Sequence, residues 1–328
     1  MAEVPERNLG LELARVTESA AIAAARWQGR GDKEAADDAA VEAMRDILNS
    51  IDMDGTIVIG EGEKDDAPWL ANGERVGTGL GPKVDVAVDP VDGTTLTANG
   101  MSGALAVIAL AEEGTMYAPG SLVYMDKIAV GPEAAGVVDI DAPVEVNLRS
   151  IARAKDKALN DLTAIILDRP RNQPYVEECR RLGCRIRFIR DGDVSGAIAT
   201  AREGAGIDVL FGIGGSPEAV IAAAALKAMG GDFQARLWPR DDTERAYAEE
   251  HGHDLDQVLG IEDLVSGRNV FFAATGITDG ELLDGVDFEG HHVVTHSVVM
   301  RSKTGSIRWM HAQHDLAKLR ALGAHLDE

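Results

Sequence analysis

The apolar run Val84-Asp85-Val86-Ala87-Val88 reads as a strand, and it ends in Asp89-Pro90-Val91-Asp92-Gly93-Thr94-Thr95. That ending limits what the chain can do next. Pro90 has a fixed φ and no amide hydrogen for a neighbouring strand, and Gly93 admits a sharp reversal. Asp89 and Asp92 can therefore turn toward a common point beyond the strand end, with the Thr94 hydroxyl beside them. Two carboxylates and a hydroxyl gathered in this way outline a site for a hard divalent cation, which takes oxygen ligands. An acidic turn with Asp92 as a helix cap would use the same residues, because Asp-Gly turns are common.

Other acidic positions weigh on that choice. Asp32 is placed to cap a helix over about residues 33–49. Asp37, Val41, Met44 and Leu48 then recur at helical spacing, which sets Asp37 on the apolar stripe. An ionised carboxylate there is costly unless a cation or hydrogen bonds offset its desolvation, although a helix-edge Asp can still reach water. The strand Thr56-Ile57-Val58-Ile59 runs into Gly60-Glu61-Gly62-Glu63, where glycines let the backbone come close to a ligand. Finally, Asp208-Val209-Leu210-Phe211 leads through Gly212-Ile213-Gly214-Gly215 into Ser216-Pro217-Glu218 and an Ala-rich run over 219–229. Ser216 as N-cap, Pro217 at the first helical position and Glu218 in the first turn also make an ordinary helix start.

These elements, together with Trp27-x-Gly29-Arg30-Gly31-Asp32-Lys33 and Asp191-Gly192-Asp193, resemble in consistent order the GlpX-type, class II fructose-1,6-bisphosphatases. That family belongs to the lithium-sensitive, metal-dependent sugar and inositol phosphatases. The Asp-Pro-x-Asp-Gly-Thr element marks the wider group. The Gly-Glu-Gly-Glu and Gly-Ile-Gly-Gly-x-Pro-Glu elements narrow it to this class.

The resemblance implies an α/β fold of the layered α/β/α/β/α sugar-phosphatase type, and hydrolysis of the 1-phosphate of fructose 1,6-bisphosphate with two or three Mg²⁺ or Mn²⁺ ions. It implies metal ligation by Asp37 with Glu61 and by Asp89 with Asp92, and a further metal or catalytic role for Glu218, with Asp89 and Thr94 also in the catalytic group. Substrate contacts are implied for Asp92, Gly93 and Thr94, for Tyr124, for Arg169 and Arg171 flanking Pro170, for Asp191, Gly192 and Asp193, and for Gly215. Asp92 stands where some relatives have Glu, and Arg169 where some have Lys. Both exchanges keep the charge but alter metal distance and phosphate geometry. A sedoheptulose bisphosphate or inositol phosphate remains an alternative substrate. A non-catalytic phosphosugar sensor is a further alternative, disfavoured because it has no need of a complete two-metal cluster.

The chain has 328 residues, long for one core, and reads as two joined lobes divided near residue 158: 1–158 with the metal-binding carboxylates, 159–328 with the sugar and second-phosphate contacts. Its 55 acidic and 32 basic side chains give a formal charge of −23, which repels nucleic acid and anionic membranes. The partners expected are a small sugar bisphosphate and further copies of the chain, as a dimer or tetramer. Two cysteines, Cys179 and Cys184, offer no disulfide framework. No signal pattern opens the sequence and no apolar run is long enough for a bilayer, so the expected location is cytoplasmic.

Helices are expected over 9–27 and 33–49, strands over 56–59, 84–88 and 104–110, and a second alternation from 163 onward: strands 163–167, 185–189 and 208–211 with helices between. Residues 293–301 and 306–311 read as a C-terminal β-hairpin, and 238–256 as a charged surface or interface segment. Three patterns compete for attention. Asp52-Met53-Asp54-Gly55-Thr56 matches a dehalogenase-type phosphatase signature but precedes its strand instead of following it, and so reads as a turn. Gly77-x-Gly79-x-Gly81 lacks dinucleotide-loop spacing, and His291, His292, His296, His311 and His314 read as structural or interfacial.

Overall fold

The computed structural model describes residues 8–60, 63–64, 67–68 and 70–321. Five layers stack in the α/β/α/β/α order that the resemblance implies, and the sequence of each shows why it lies where it does. The outer helices are Gly10–Ala25 and Lys33–Leu48. Asp32 caps the second as expected, its carboxylate accepting the Ala35 amide hydrogen at 3.0 Å. Both pack on the first sheet.

Among the described residues that sheet has eight strands, ordered Asp287–Glu289, His292–Arg301, Phe271–Gly276, Leu105–Glu112, Lys83–Asp92, Asp54–Ile59 and Arg75–Val76, with Ser306–Asp315 also paired to His292–Arg301. The central strand Leu105–Glu112 is buried everywhere except its last residue, which accounts for its unbroken apolar sequence: both faces are covered. The expected C-terminal hairpin is present, closed through Ser302–Thr304 and Gly305.

The middle layer is Val194–Ala201 and the Ala-rich helix Ser216–Met229. The latter is apolar around most of its circumference, and a helix of that kind has to be buried. Its run Ala222 to Ala225 is at most 2 % exposed. Alanine loses no rotamer freedom there and lets a sheet approach closely from either side. The second sheet has six strands among the described residues: Leu259–Gly260, Asp232–Leu237, Tyr124–Val130, Val209–Gly215, Thr163–Leu167 and Arg185–Ile189, the last three mutually parallel. Val144–Ala154 and Gln173–Arg181 cover its far face over Ile128, Val130, Ile166 and Phe211.

Strands from both sides of residue 158 enter both sheets. Tyr124–Val130 is a central strand that periodicity does not reveal, because Asp126 and Lys127 interrupt its apolar reading. Ser216 is not the N-cap expected of it. Gly215 occupies that position, and the buried Ser216 hydroxyl donates instead to the Leu122 carbonyl at 2.7 Å. The segment 238–256 contains the helix Asp242–Glu250, largely exposed and capped by Asp241. No helix among the described residues is long and apolar enough to cross a membrane.

Candidate active site

The strand Lys83–Asp92 pairs evenly with Leu105–Glu112 as far as Asp89 opposite Val107. The register then shifts before Asp92 meets Leu105. Pro90, with no amide hydrogen, lies inside the irregular stretch, and Gly93 follows in the left-handed region at φ 105°. The slip and the reversal bring Asp89 and Asp92 together with Glu218 from the first turn of the Ala-rich helix. One carboxylate oxygen from each lies within 4.8 Å of the others.

The surroundings make this cluster electrostatically unusual. Asp92 is 2 % exposed, and both its oxygens are buried with no hydrogen-bond partner among the described residues; the same is true of Glu218 Oε2. Burial pushes the Asp92 carboxyl well above the usual carboxylate range, and the charges of Glu218, Asp193 and Asp191 add to the shift while Lys127 opposes it. Glu218 is raised as well, by burial first, with Lys127 opposing and Asp193 adding. Buried carboxylates with no donor of their own are costly, and a cation offsets that cost. The donor set is all carboxylate oxygen, which suits a hard divalent ion of the Mg²⁺ or Mn²⁺ kind over a thiolate-loving one.

The remaining expected ligands separate into two cases. Asp37 lies on the helix Lys33–Leu48, partly buried, and that helix packs on Lys83–Asp92 and on the short helix Thr94–Ala98; Asp37 is not one of the three clustered carboxylates. Glu61, its expected companion, lies outside the described residues. Thr94 opens the short helix two residues beyond Asp92, partly buried.

Beside the carboxylates a cavity of about 310 Å³ is walled by Tyr124, Arg169, Arg171, Asp191 and Glu218 among others, with Gly192, Asp193 and Gly215 also lining it. It gathers residues beyond the carboxyl ends of three parallel strands, where open α/β sheets place their ligands. Arg169 pairs with Asp191 at 3.2 Å, and Asp191 also accepts the Thr95 amide hydrogen at 3.2 Å. Arg171 donates from Nε to the Ile213 carbonyl at 3.0 Å and stacks its guanidinium 4.1 Å from the Tyr124 ring centre. Pro170, exposed between the two arginines, starts the turn that presents them both. Two glycines here leave room for the carboxylates where they stand: a Cβ on Gly192 would come within 2.4 Å of Asp92 Oδ1, and one on Gly215 within 1.7 Å of Glu218 Oε2, so either side chain would displace a carboxylate of the cluster.

Sequence reading misses Lys127. It is 1 % exposed, and its ammonium donates to both oxygens of Asp193 at 3.0 and 2.7 Å. The Asp193 carboxylate is thereby held inside the wall, and the buried ammonium lowers the cost of ionising Asp92 and Glu218. A lone lysine within the run 125–130 is the signal that could have found it. Asn172 is also missed; it bridges two strand ends by donating to the Leu167 and Ile213 carbonyls and accepting the Ile213 amide hydrogen.

The competing patterns resolve as turns and surface. Asp52 precedes the strand Asp54–Ile59 and accepts from the Thr78 hydroxyl at 3.2 Å. The glycines at 77 and 81 pack against the Met53 and Asp52 carbonyls. His296 and His311 face one another across the hairpin at 4.9 Å, and His314 bonds the Thr295 hydroxyl at 2.9 Å.

Comparison with known proteins agrees with this geometry. The chain is 46 % identical over 327 residues to a fructose-1,6-bisphosphatase class 2 of Haemophilus influenzae, covering 95 % of this chain and 98 % of that one. It is 45 % identical over 324 residues to a fructose-1,6-bisphosphatase 1 class 2 of Escherichia coli, covering 94 % and 96 %. The profile of the family described as bacterial fructose-1,6-bisphosphatase, glpX-encoded, matches residues 7–314, and the chain belongs to that family.

Proposed function

We propose that this protein is a metal-dependent class 2 fructose-1,6-bisphosphatase, which removes the 1-phosphate of fructose 1,6-bisphosphate to leave fructose 6-phosphate. The observation that carries the reading is the juxtaposition of buried carboxylate oxygens without donors, both of Asp92 and Oε2 of Glu218, with an arginine-walled cavity, within a chain of this family. Asp37 with Glu61, Asp89 with Asp92, and Glu218 would hold two or three Mg²⁺ or Mn²⁺ ions. Bound there, such ions act as Lewis acids on the phosphoryl oxygens and lower the pKa of water. The rest of the chemistry belongs to the chain. Thr94 Oγ1 orients the attacking water, and Glu218, as the alternative to ligating a third ion, takes up or returns a proton. Arg169 and Arg171 grip the phosphate that is not cleaved, against the face of Tyr124. Asp191 and the Asp191–Asp193 turn hold the sugar, and amide groups at the N-terminus of Ser216–Met229 receive anionic oxygens. Holding the distant phosphate fixes the reacting one, and that positioning is itself catalytic.

A phosphate-release screen tests the reading across sugar bisphosphates, sugar monophosphates, inositol phosphates and nucleotides with Mg²⁺ or Mn²⁺. The expected result is preferential turnover of fructose 1,6-bisphosphate, abolished by EDTA. Equal or greater turnover of an inositol phosphate, or EDTA-resistant activity, overturns it.

A further inference from the structure

A second cavity, of about 510 Å³, shares Asp191 as a wall with the catalytic one. Its inner surface is aliphatic, formed by Leu96, Leu105, Ile165, Ile189 and Leu283. Its charged groups are three guanidiniums and two carboxylates, in a chain whose overall charge is −23.

Most of those charges are already committed. Arg187 pairs with Glu281, and Arg202 donates to the carbonyls of Glu281 and Leu282, so these two arginines hold the segment 280–283 in place as a wall. Asp191 is taken by Arg169 and the Thr95 amide. Arg190 differs: among the described residues its one hydrogen-bond contact is with the Met101 thioether sulfur at 3.9 Å, a weak acceptor. Arg190, exposed and engaged by no carboxylate among the described residues, thus lines an aliphatic cavity within the size range of small-molecule sites.

We propose that this cavity is a second ligand site, separate from the catalytic one, for a small organic anion. A carboxylate, sulfonate or phosphate ester would be held by Arg190, with an aromatic or aliphatic body against the apolar wall. A fully polar sugar phosphate fits the catalytic cavity better, because here it would leave its hydroxyls facing leucine and isoleucine.

Anilinonaphthalene sulfonate, an aromatic body carrying one anionic group, is a suitable probe. Its fluorescence is titrated against the full-length protein, Arg190→Glu, Ala205→Phe and, as a control on the catalytic cavity, Arg171→Ala, with circular dichroism confirming that each variant is folded. Ala205 lines this cavity and is not one of the residues that wall the catalytic one, so a phenyl ring there fills the space while leaving the Arg190 guanidinium in the chain. The expected result is one saturable class of sites, weakened about 10-fold or more by Arg190→Glu and by Ala205→Phe and unchanged by Arg171→Ala, as losing a charge-assisted contact or the space itself would require. No saturable binding, binding that survives both substitutions, or equal weakening by Arg171→Ala overturns the proposal.

Discussion

Thr94 is a neutral side chain beside carboxylates, so it can be removed without disturbing the charge of the site. Thr94→Ala should leave metal binding intact and lower kcat by about 10² or more, with KM nearly constant, as when a group acting only in the transition state is lost. Steady-state kinetics beside a metal titration checks this, and an unchanged kcat removes Thr94 from catalysis. Arg171 is the complementary case. Its guanidinium is already oriented by the Ile213 carbonyl and the Tyr124 ring, so in the proposed role it would meet a phosphate with little further loss of freedom. Arg171→Ala should raise KM for fructose 1,6-bisphosphate by roughly 10 to 100-fold while activity on a small monophosphate barely moves. Equal losses on both substrates would assign Arg171 to the reacting phosphate or to the fold. Asp89, Asp92 and Glu218 are legible in sequence because each stands where an apolar run gives way to glycine. Lys127 is not, because its significance lies wholly in Asp193, 66 positions away and brought close by pairing between distant strands.

At the scale of elements, what can be read from the sequence follows local periodicity. The first two helices, the hairpin and the parallel strands of the second sheet carry their own pattern and fall within a few residues of expectation. Strands whose register depends on distant partners, such as Tyr124–Val130 and Phe271–Gly276, carry none that stands out. The packing of the first helix on the hairpin is another feature without a local signal. Glu18 is buried there beneath Thr295, which in turn bonds His314. Burial raises its pKa from 4.5 to about 7, with the Thr295 and Ser297 hydroxyls and Arg15 opposing. A carboxyl raised in this way favours the folded state fully below its unfolded pKa, and that contribution is lost as the pH climbs through 7. Glu18→Gln should therefore differ from the parent by under about 1 kcal/mol at pH 5 and be more stable by about 3 kcal/mol at pH 8. Urea unfolding at the two pH values measures it, and an advantage independent of pH refutes the assignment to Glu18.

For the molecule as a whole, metal, protons and stability are linked through one cluster. Asp92 and Glu218 are both raised, so without a cation they retain protons above the usual carboxylate range, and binding a divalent ion must expel them. Calorimetric titration of Mn²⁺ in two buffers of different ionisation enthalpy should show a net release of protons on binding, with apparent affinity rising with pH. By the same sign, metal-free protein should lose stability as pH rises through those pKa values, and saturating metal should abolish the loss. Heats identical in both buffers would show that the cluster is already ionised.

The interleaving of the two sheets also bears on how the chain is made. The strand Leu105–Glu112 lies between Lys83–Asp92 and Phe271–Gly276, and the latter is synthesised more than 150 residues later. At roughly 5–20 residues per second, a ribosome exposes one apolar edge of that strand for on the order of ten seconds or more before its partner emerges. Such an edge is a template for pairing with other nascent chains. A message truncated before the codon for Phe271 should therefore yield aggregate rather than a smaller folded protein, even though every residue that walls the 310 Å³ cavity would already have been translated.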